Sequence, residues 1–155
     1  MIIRQAMLQD AEELAEFNMG IARETEGYEL IPEVIRAGVE TVIANPEKGF
    51  YLVVELDNGI QASLMVTYEW SDWRNGTFWW IQSVYVRAEY RGQGLYGILY
   101  ERVKELAEQD ESVCGFRLYV ERNNTVAQKT YAKQGMQETE YLIYEELVEG
   151  LEYKK

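Results

Sequence analysis

The sequence has no histidine, one cysteine and two prolines in 155 residues. Without histidine, Ser-His-Asp and Cys-His nucleophilic sites cannot be built, nor can histidine-ligated zinc. The lone Cys114 permits no intramolecular disulfide and reads as a small buried apolar residue. A metal would need carboxylates and carbonyls, and no loop spaces them for calcium, so no metal is expected. No apolar run approaches the roughly 18–20 residues of a membrane span, and Met1 to Ala6 leads straight into polar sequence. A cytoplasmic protein with no membrane partner is the expectation. Basic residues are scarce too: 15 Lys and Arg stand against 27 Asp and Glu, a net charge of −12. Such a chain repels nucleic-acid phosphate, which argues against a DNA- or RNA-binding role.

What remains is a globular composition, 47% hydrophobic and 27% charged, of a size that buries a real core in one domain. No Ser/Gly-rich linker, repeat or low-complexity stretch divides it, so residues 1–155 are read as a single domain. Ile2 to Ala6 predicts a short strand, and Asp10 an N-cap followed by Glu12 and Glu13 in the first turn. Leu14, Phe17, Ile21 and Ala22 follow at helical spacing. Pro32 opens a second helix that stops near Asn45-Pro46. Phe50 to Leu56, a turn at Asp57-Asn58-Gly59 and Ile60 to Glu69 predict a hairpin. Trp70 to Gly76 reads as a loop and Thr77 to Val86 as a third β run.

From Gln93 to Gln109 the period changes, with Leu95, Ile98, Leu99, Val103 and Leu106 on one helical face. Phe116 to Glu121 predicts a strand, Asn124 to Gln134 a short helix, and Met136 to about Leu147 a last extended strand. The order β-α-α-β-β-β-α-β-α-β implies an α/β (α+β) fold. Its central mixed sheet is flanked by about four helices, antiparallel early and parallel across the crossover helix.

The segment Val84-Tyr85-Val86-Arg87-Ala88-Glu89-Tyr90-Arg91-Gly92-Gln93-Gly94-Leu95-Tyr96-Gly97 carries the chemistry. A strand ends there and a glycine-rich loop opens an amphipathic helix. Glycines let backbone approach a ligand, and the unpaired N–H groups of a first helical turn suit an anion such as pyrophosphate. No Lys-Ser/Thr follows as a P-loop requires, and no dinucleotide-type βαβ unit precedes it.

Here the sequence resembles the GNAT superfamily of N-acetyltransferases. Arg91-Gly92-Gln93-Gly94-Leu95 matches the first five positions of the family's Q/R-x-x-G-x-G/A motif for acetyl-coenzyme A. Tyr96 stands where the family prefers Gly or Ala. Asn124, Ala127, Tyr131 and Gly135 match the spacing of its later element.

The resemblance implies a GNAT-like fold and acetyl-coenzyme A as cosubstrate. It implies that backbone of Val84, Tyr85 and Val86 binds the pantetheine arm and that amides of Gly92 to Gly97 hold the pyrophosphate. Asn124 would contact the cofactor near the thioester; helix N-capping is an equally ordinary role for it. Tyr131 would be the general acid for the departing thiolate, since a phenol of pKa about 10 keeps its proton at neutral pH. Glu121, two residues beyond Tyr119 on the expected strand and so on the same face, is the candidate base. Relay through water or a surface carboxylate is the alternative.

The expected activity is direct N-acetyl transfer to a small-molecule or peptide amine, a cationic one by the net charge. Glu24, Glu26, Glu29, Glu69 and Asp72, with Trp70 and Trp73, fall in segments the family places around the acceptor. Plain core packing is the preferred reading for at least two of Trp70, Trp73, Trp79 and Trp80. A non-catalytic acyl-coenzyme A-binding or protein-interaction module is the alternative from another class, and transfer to a hydroxyl is a third reading. Homodimerisation is left open.

Overall fold

Pro32, with its fixed φ and missing N–H, stands at the first position of a helix that runs Pro32–Ala44. This computed structural model describes residues 1–155 and contains four α-helices and one five-stranded sheet. In chain order they are β1 (Ile2–Gln5), α1 (Ala11–Ile21), α2 (Pro32–Ala44), β2 (Gly49–Leu56), β3 (Gly59–Ser71), β4 (Gly76–Val86), α3 (Leu95–Ala107), β5 (Val113–Arg117) and α4 (Thr125–Lys133). The chain divides into two compact units, one of residues 1–118 with 153–155, the other of residues 119–152.

In the first unit the strand order is β1-β2-β3-β4-β5. The first four are antiparallel neighbours and β5 pairs with β4 in parallel, as the α3 crossover requires. The turn at Asp57-Asn58 places both residues at positive φ, +55° and +66°, as a two-residue hairpin of this hand needs. β2 is buried on both faces. Tyr51 and Val53 pack with Ala11, Leu14, Phe17 and Val39 of α1 and α2. Leu52 and Val54 point the other way by the pleat, toward the side that α3 covers through Leu95, Leu99 and Val103.

Several expectations need correction. Asp10 makes no side-chain cap for α1. Its carboxylate instead accepts from the Met7 amide at 2.7 Å and from both terminal nitrogens of Arg4, at 2.8 and 3.0 Å. Cys114 is exposed rather than buried. The hairpin between β3 and β4 is tighter than the expected loop, so Trp70 belongs to β3. Of the four tryptophans, Trp79 is core at 7% exposure, Trp80 is half-buried, and Trp70 and Trp73 are 60% and 88% exposed. The strand expected over 116–121 is Val113–Arg117, so Tyr119 and Glu121 lie beyond it.

The second unit is built on α4. Asn124 caps it, its side chain accepting from the Ala127 amide at 3.2 Å. Gly135, at φ +96°, ends it. The Gly135 amide donates to Ala132 O and the Met136 amide to Tyr131 O, each at 3.1 Å, which is the Schellman closure that needs a left-handed residue. The strand expected from Met136 to about Leu147 does not form. This segment carries no regular secondary structure. The preference of Tyr141-Leu142-Ile143-Tyr144 for extended backbone is local, whereas a strand exists only through a partner.

Candidate active site

Strand β4 loses its neighbour halfway along. Pairing with β5 runs from Thr77 to Trp80 and stops. Residues 81–86 therefore keep an unpaired edge on the β5 side while still pairing with β3. At the same level the β3–β4 register shifts between Ser63 and Met65, a bulge that leaves Ser83 at φ +52°. A non-glycine residue in that region is strained, and its neighbours must hold it there. The buried Tyr51 does so. Its hydroxyl hydrogen-bonds the Ser83 side chain and accepts from Asn18 Nδ2 at 3.3 Å. Burial pushes the Tyr51 phenol up, so it stays a neutral hydrogen-bonding group.

Of the residues expected to carry the cofactor, Val84, Tyr85 and Val86 all lie on this half-free strand. The Tyr85 side chain is structural: its ring packs on Phe17, with centroids 4.9 Å apart, and passes so close to α1 that a Cβ at Gly20 would come within 3.2 Å. Glycine at position 20 is the sequence signal for that close approach. The Val86 carbonyl already accepts from Arg91 Nε at 2.8 Å.

The loop that follows is shaped by its glycines. Gly92 and Gly94 take positive φ, +81° and +78°, and a Cβ at either would meet no atom within 4 Å. Conformation, not crowding, selects glycine here. Gly94 caps α3 with no side-chain hydrogen bond. The amides of Gly92, Gln93, Gly94, Leu95 and Gly97 find no backbone partner, and the first backbone bond into α3 is Ile98 N to Gly94 O at 3.1 Å. These donors lie at the positive end of a 13-residue helix, an arrangement that fits a phosphate. The Tyr96 ring stacks along the helix on Tyr100, with centroids 6.1 Å apart.

Arg91 is less a free cation than a brace, with Nη2 2.8 Å from Glu24 Oε2 and its guanidinium over the Tyr85 ring. Other carboxylates expected around an acceptor are also engaged. Glu29 pairs with Arg23 at 2.8 Å. Glu69 accepts from Trp80 Nε1 at 2.7 Å and Arg117 Nη1 at 2.9 Å, and these hold its carboxyl below the ordinary range. Asp72 accepts from the Trp73 amide, and Glu26 is exposed. Sequence reasoning missed the bulge and its Asn18–Tyr51–Ser83 support, whose members are far apart in the chain.

In the second unit, Asn124 spends its side-chain oxygen on the α4 cap. Glu121 is exposed and accepts from the Asn123 amide at 2.8 Å. Tyr131 is half-buried on α4, and burial raises its phenol above the ordinary tyrosine value. No group of His, Cys, Asp and Glu side chains is arranged to hold a metal ion. No helix is long and apolar enough to cross a membrane.

Comparison with known proteins bears on this site. Residues 8–136 match the Acetyltransferase (GNAT) family. No curated protein matches the chain at a significant level. The crystal structure of a possible acetyltransferase from Clostridium difficile 630 is 44% identical, with a TM-score of 0.88 over 95% of this chain and 97% of that one. A predicted acetyltransferase from Clostridium acetobutylicum, solved with acetyl-CoA, shares the fold at 21% identity and a TM-score of 0.75, covering 94% and 95% of the two chains. An aminoglycoside antibiotic 6'-N-acetyltransferase from Acinetobacter haemolyticus does so at 17% identity and 0.75, covering 96% and 99%. The GNAT match spans the half-paired β4, the glycine turn and α4, and the chain is an acetyltransferase of the GNAT family.

Proposed function

We propose that the protein transfers acetyl from acetyl-coenzyme A directly to an amine, with no covalent enzyme intermediate. One observation carries this reading. Within the first unit, an unpaired stretch of strand backbone at 81–86 leads through a short turn into the open amides of Gly92, Gln93, Gly94, Leu95 and Gly97. A linear ligand with an amide-bearing arm and a pyrophosphate needs those two features in that order.

Acetyl-coenzyme A supplies the activated thioester. The free edge of β4 would hydrogen-bond the pantetheine arm, and the loop amides would hold the pyrophosphate against the α3 dipole. A backbone N–H of the Val84 region, held out of regular pairing by the bulge, would stabilise negative charge developing on the acetyl oxygen. Tyr131 is assigned the role of general acid toward the departing thiolate, on its motif position and raised pKa. Asn124 is assigned as a cofactor contact beside its capping role, through its side-chain amide nitrogen. Glu121 is assigned the ammonium proton, and its exposure gives that proton a route to water.

For the acceptor, the net charge of −12 favours a cation. Since Glu24, Glu29 and Glu69 already face arginines, the preference rests on the summed field more than on a local acidic cage. An acceptor panel of cationic, neutral and anionic amines with hydroxyl analogues, read by release of free coenzyme A thiol, tests the proposal. Release with cationic amines supports it. Release only with hydroxyl acceptors, or tight coenzyme A binding with no release at all, overturns it.

A further inference from the structure

The segment between α1 and α2, residues 22–31, belongs to no strand of the sheet. Ala22–Glu26 form a π-helical turn, Gly27 reverses the chain at φ +71°, and Leu30-Ile31 lead extended into α2. A lone turn of this wide kind is rare, and no short helix is stable by itself in water. What holds its shape is what it touches.

The segment is held from two sides, by contacts that all lie within the first unit. On one side, the chain returns to that unit at Tyr153, and Lys154 forms an antiparallel bridge with Leu30. The Ile31 amide donates to Tyr153 O at 2.9 Å, and the Lys155 amide to Glu29 O at 2.8 Å. Lys154 Nζ lies 4.1 Å from the centre of the Tyr28 ring, which meets the Tyr153 ring edge to face at 6.2 Å. On the other side, Glu24 Oε2 accepts from Arg91 Nη2 at 2.8 Å, and Arg91 also donates to the Val86 carbonyl. Arg23 joins the two sides: its Nε donates to both oxygens of Glu29, at 2.8 and 3.0 Å.

On the reading of Gly92 to Gly97 as the pyrophosphate turn, we propose that residues 153–155 position that turn. Paired with residues 29–31, they fix the segment that presents Glu24 to Arg91. An exposed ion pair gains little when two long side chains must be ordered to form it. Less ordering is needed once the backbone under Glu24 is already fixed. The pairing with 153–155 supplies that fixing, because hydrogen bonds and edge-to-face rings set direction as well as distance. Arg91 immediately precedes Gly92, so what steadies the guanidinium steadies the first open amide of the turn. By linkage, coenzyme A that favours the ordered turn favours the pairing at 29–31 to the same degree.

Calorimetry with coenzyme A and hydrogen exchange, both on the full chain, test this with two substitutions. Lys155→Pro removes the amide that donates to Glu29 O, and Lys154→Ala removes the cation over Tyr28. Both lysines are exposed, so neither change touches the core. Lys155→Pro should raise the coenzyme A dissociation constant about threefold, and Lys154→Ala should act in the same direction. In a Glu24→Ala background both effects should vanish, because the path to Arg91 is cut. In the wild type, saturating coenzyme A should slow exchange of the Ile31 amide by the same factor, and in Glu24→Ala it should not. A wild type that binds no coenzyme A overturns the reading of the turn itself. A wild type that binds it while Lys155→Pro binds equally well overturns only the role of residues 153–155. So does a loss of affinity that persists in full without Glu24, or an Ile31 amide indifferent to coenzyme A.

Discussion

Arg91 Nε lies 2.8 Å from the carbonyl oxygen of Val86, so the loop that opens α3 is tied to the last residue of β4. The same guanidinium reaches Glu24 at 2.8 Å. A planar fork can serve both partners, while a lysine ammonium at this reach cannot keep that geometry. Arg91→Lys and Arg91→Met should therefore weaken coenzyme A binding by similar factors, roughly 3–10-fold, the scale of losing one charge-assisted hydrogen bond. Calorimetry checks this. A lysine variant that binds like wild type would show that Arg91 acts only as a positive charge.

Gly94 separates conformation from charge. At φ +78° with open space around it, asparagine is tolerated better there than other side chains. Gly94→Asn should keep most coenzyme A affinity, whereas Gly94→Asp adds an anion at the positive end of α3. The aspartate variant should bind about tenfold more weakly than the asparagine one. Equal binding by the two would remove the pyrophosphate from this turn.

Tyr131→Phe should lower kcat by about 10²-fold with coenzyme A affinity retained. The acid must be protonated to act, and burial raises its pKa. Any alkaline loss of kcat caused by Tyr131 should then fall above about pH 10. Single-turnover kinetics against pH measures both, and an unchanged chemical step in the phenylalanine variant would leave Tyr131 as packing alone.

Asp10 makes stability depend on pH. The hydrogen bonds from Arg4 hold its carboxyl below the ordinary range, with the Met7 amide adding to the effect. A depressed folded-state pKa gives stability that is present above the unfolded value, near 4, and is lost as pH falls through the folded value. Asp10→Asn should cost about 1–3 kcal/mol at pH 7. Denaturant titrations should show that difference shrinking below about pH 4. A difference that stays constant down to pH 2 would detach it from the Arg4 pair.

Steering by the acidic surface is screened by salt, with a Debye length of about 10 Å at 0.1 M. For a cationic acceptor, kcat/KM should fall as ionic strength rises. A best acceptor whose kcat/KM rises with salt would show that the net charge plays no part in its selection.

The sequence by itself determined what depends on neighbours within a few residues. The helix start at Pro32, the turn at Asp57-Asn58 and the left-handed glycines at 92 and 94 are local steric facts, legible one residue at a time. The later motif was legible as a spacing. It resolves into the two ends of one helix, Asn124 as N-cap and Gly135 as the Schellman residue, with Tyr131 between them. Only the tertiary structure decided what depends on distant partners. Asp10 looked like a cap until Arg4 claimed its carboxylate. The strain at Ser83 exists because Tyr51, 32 positions earlier, and Asn18 hold the bulge from below. Residues 139–147 include the strand formers Thr139, Tyr141, Ile143 and Tyr144 but take no regular secondary structure. Propensity belongs to a residue and pairing to a pair, and the sequence of one does not contain the position of the other.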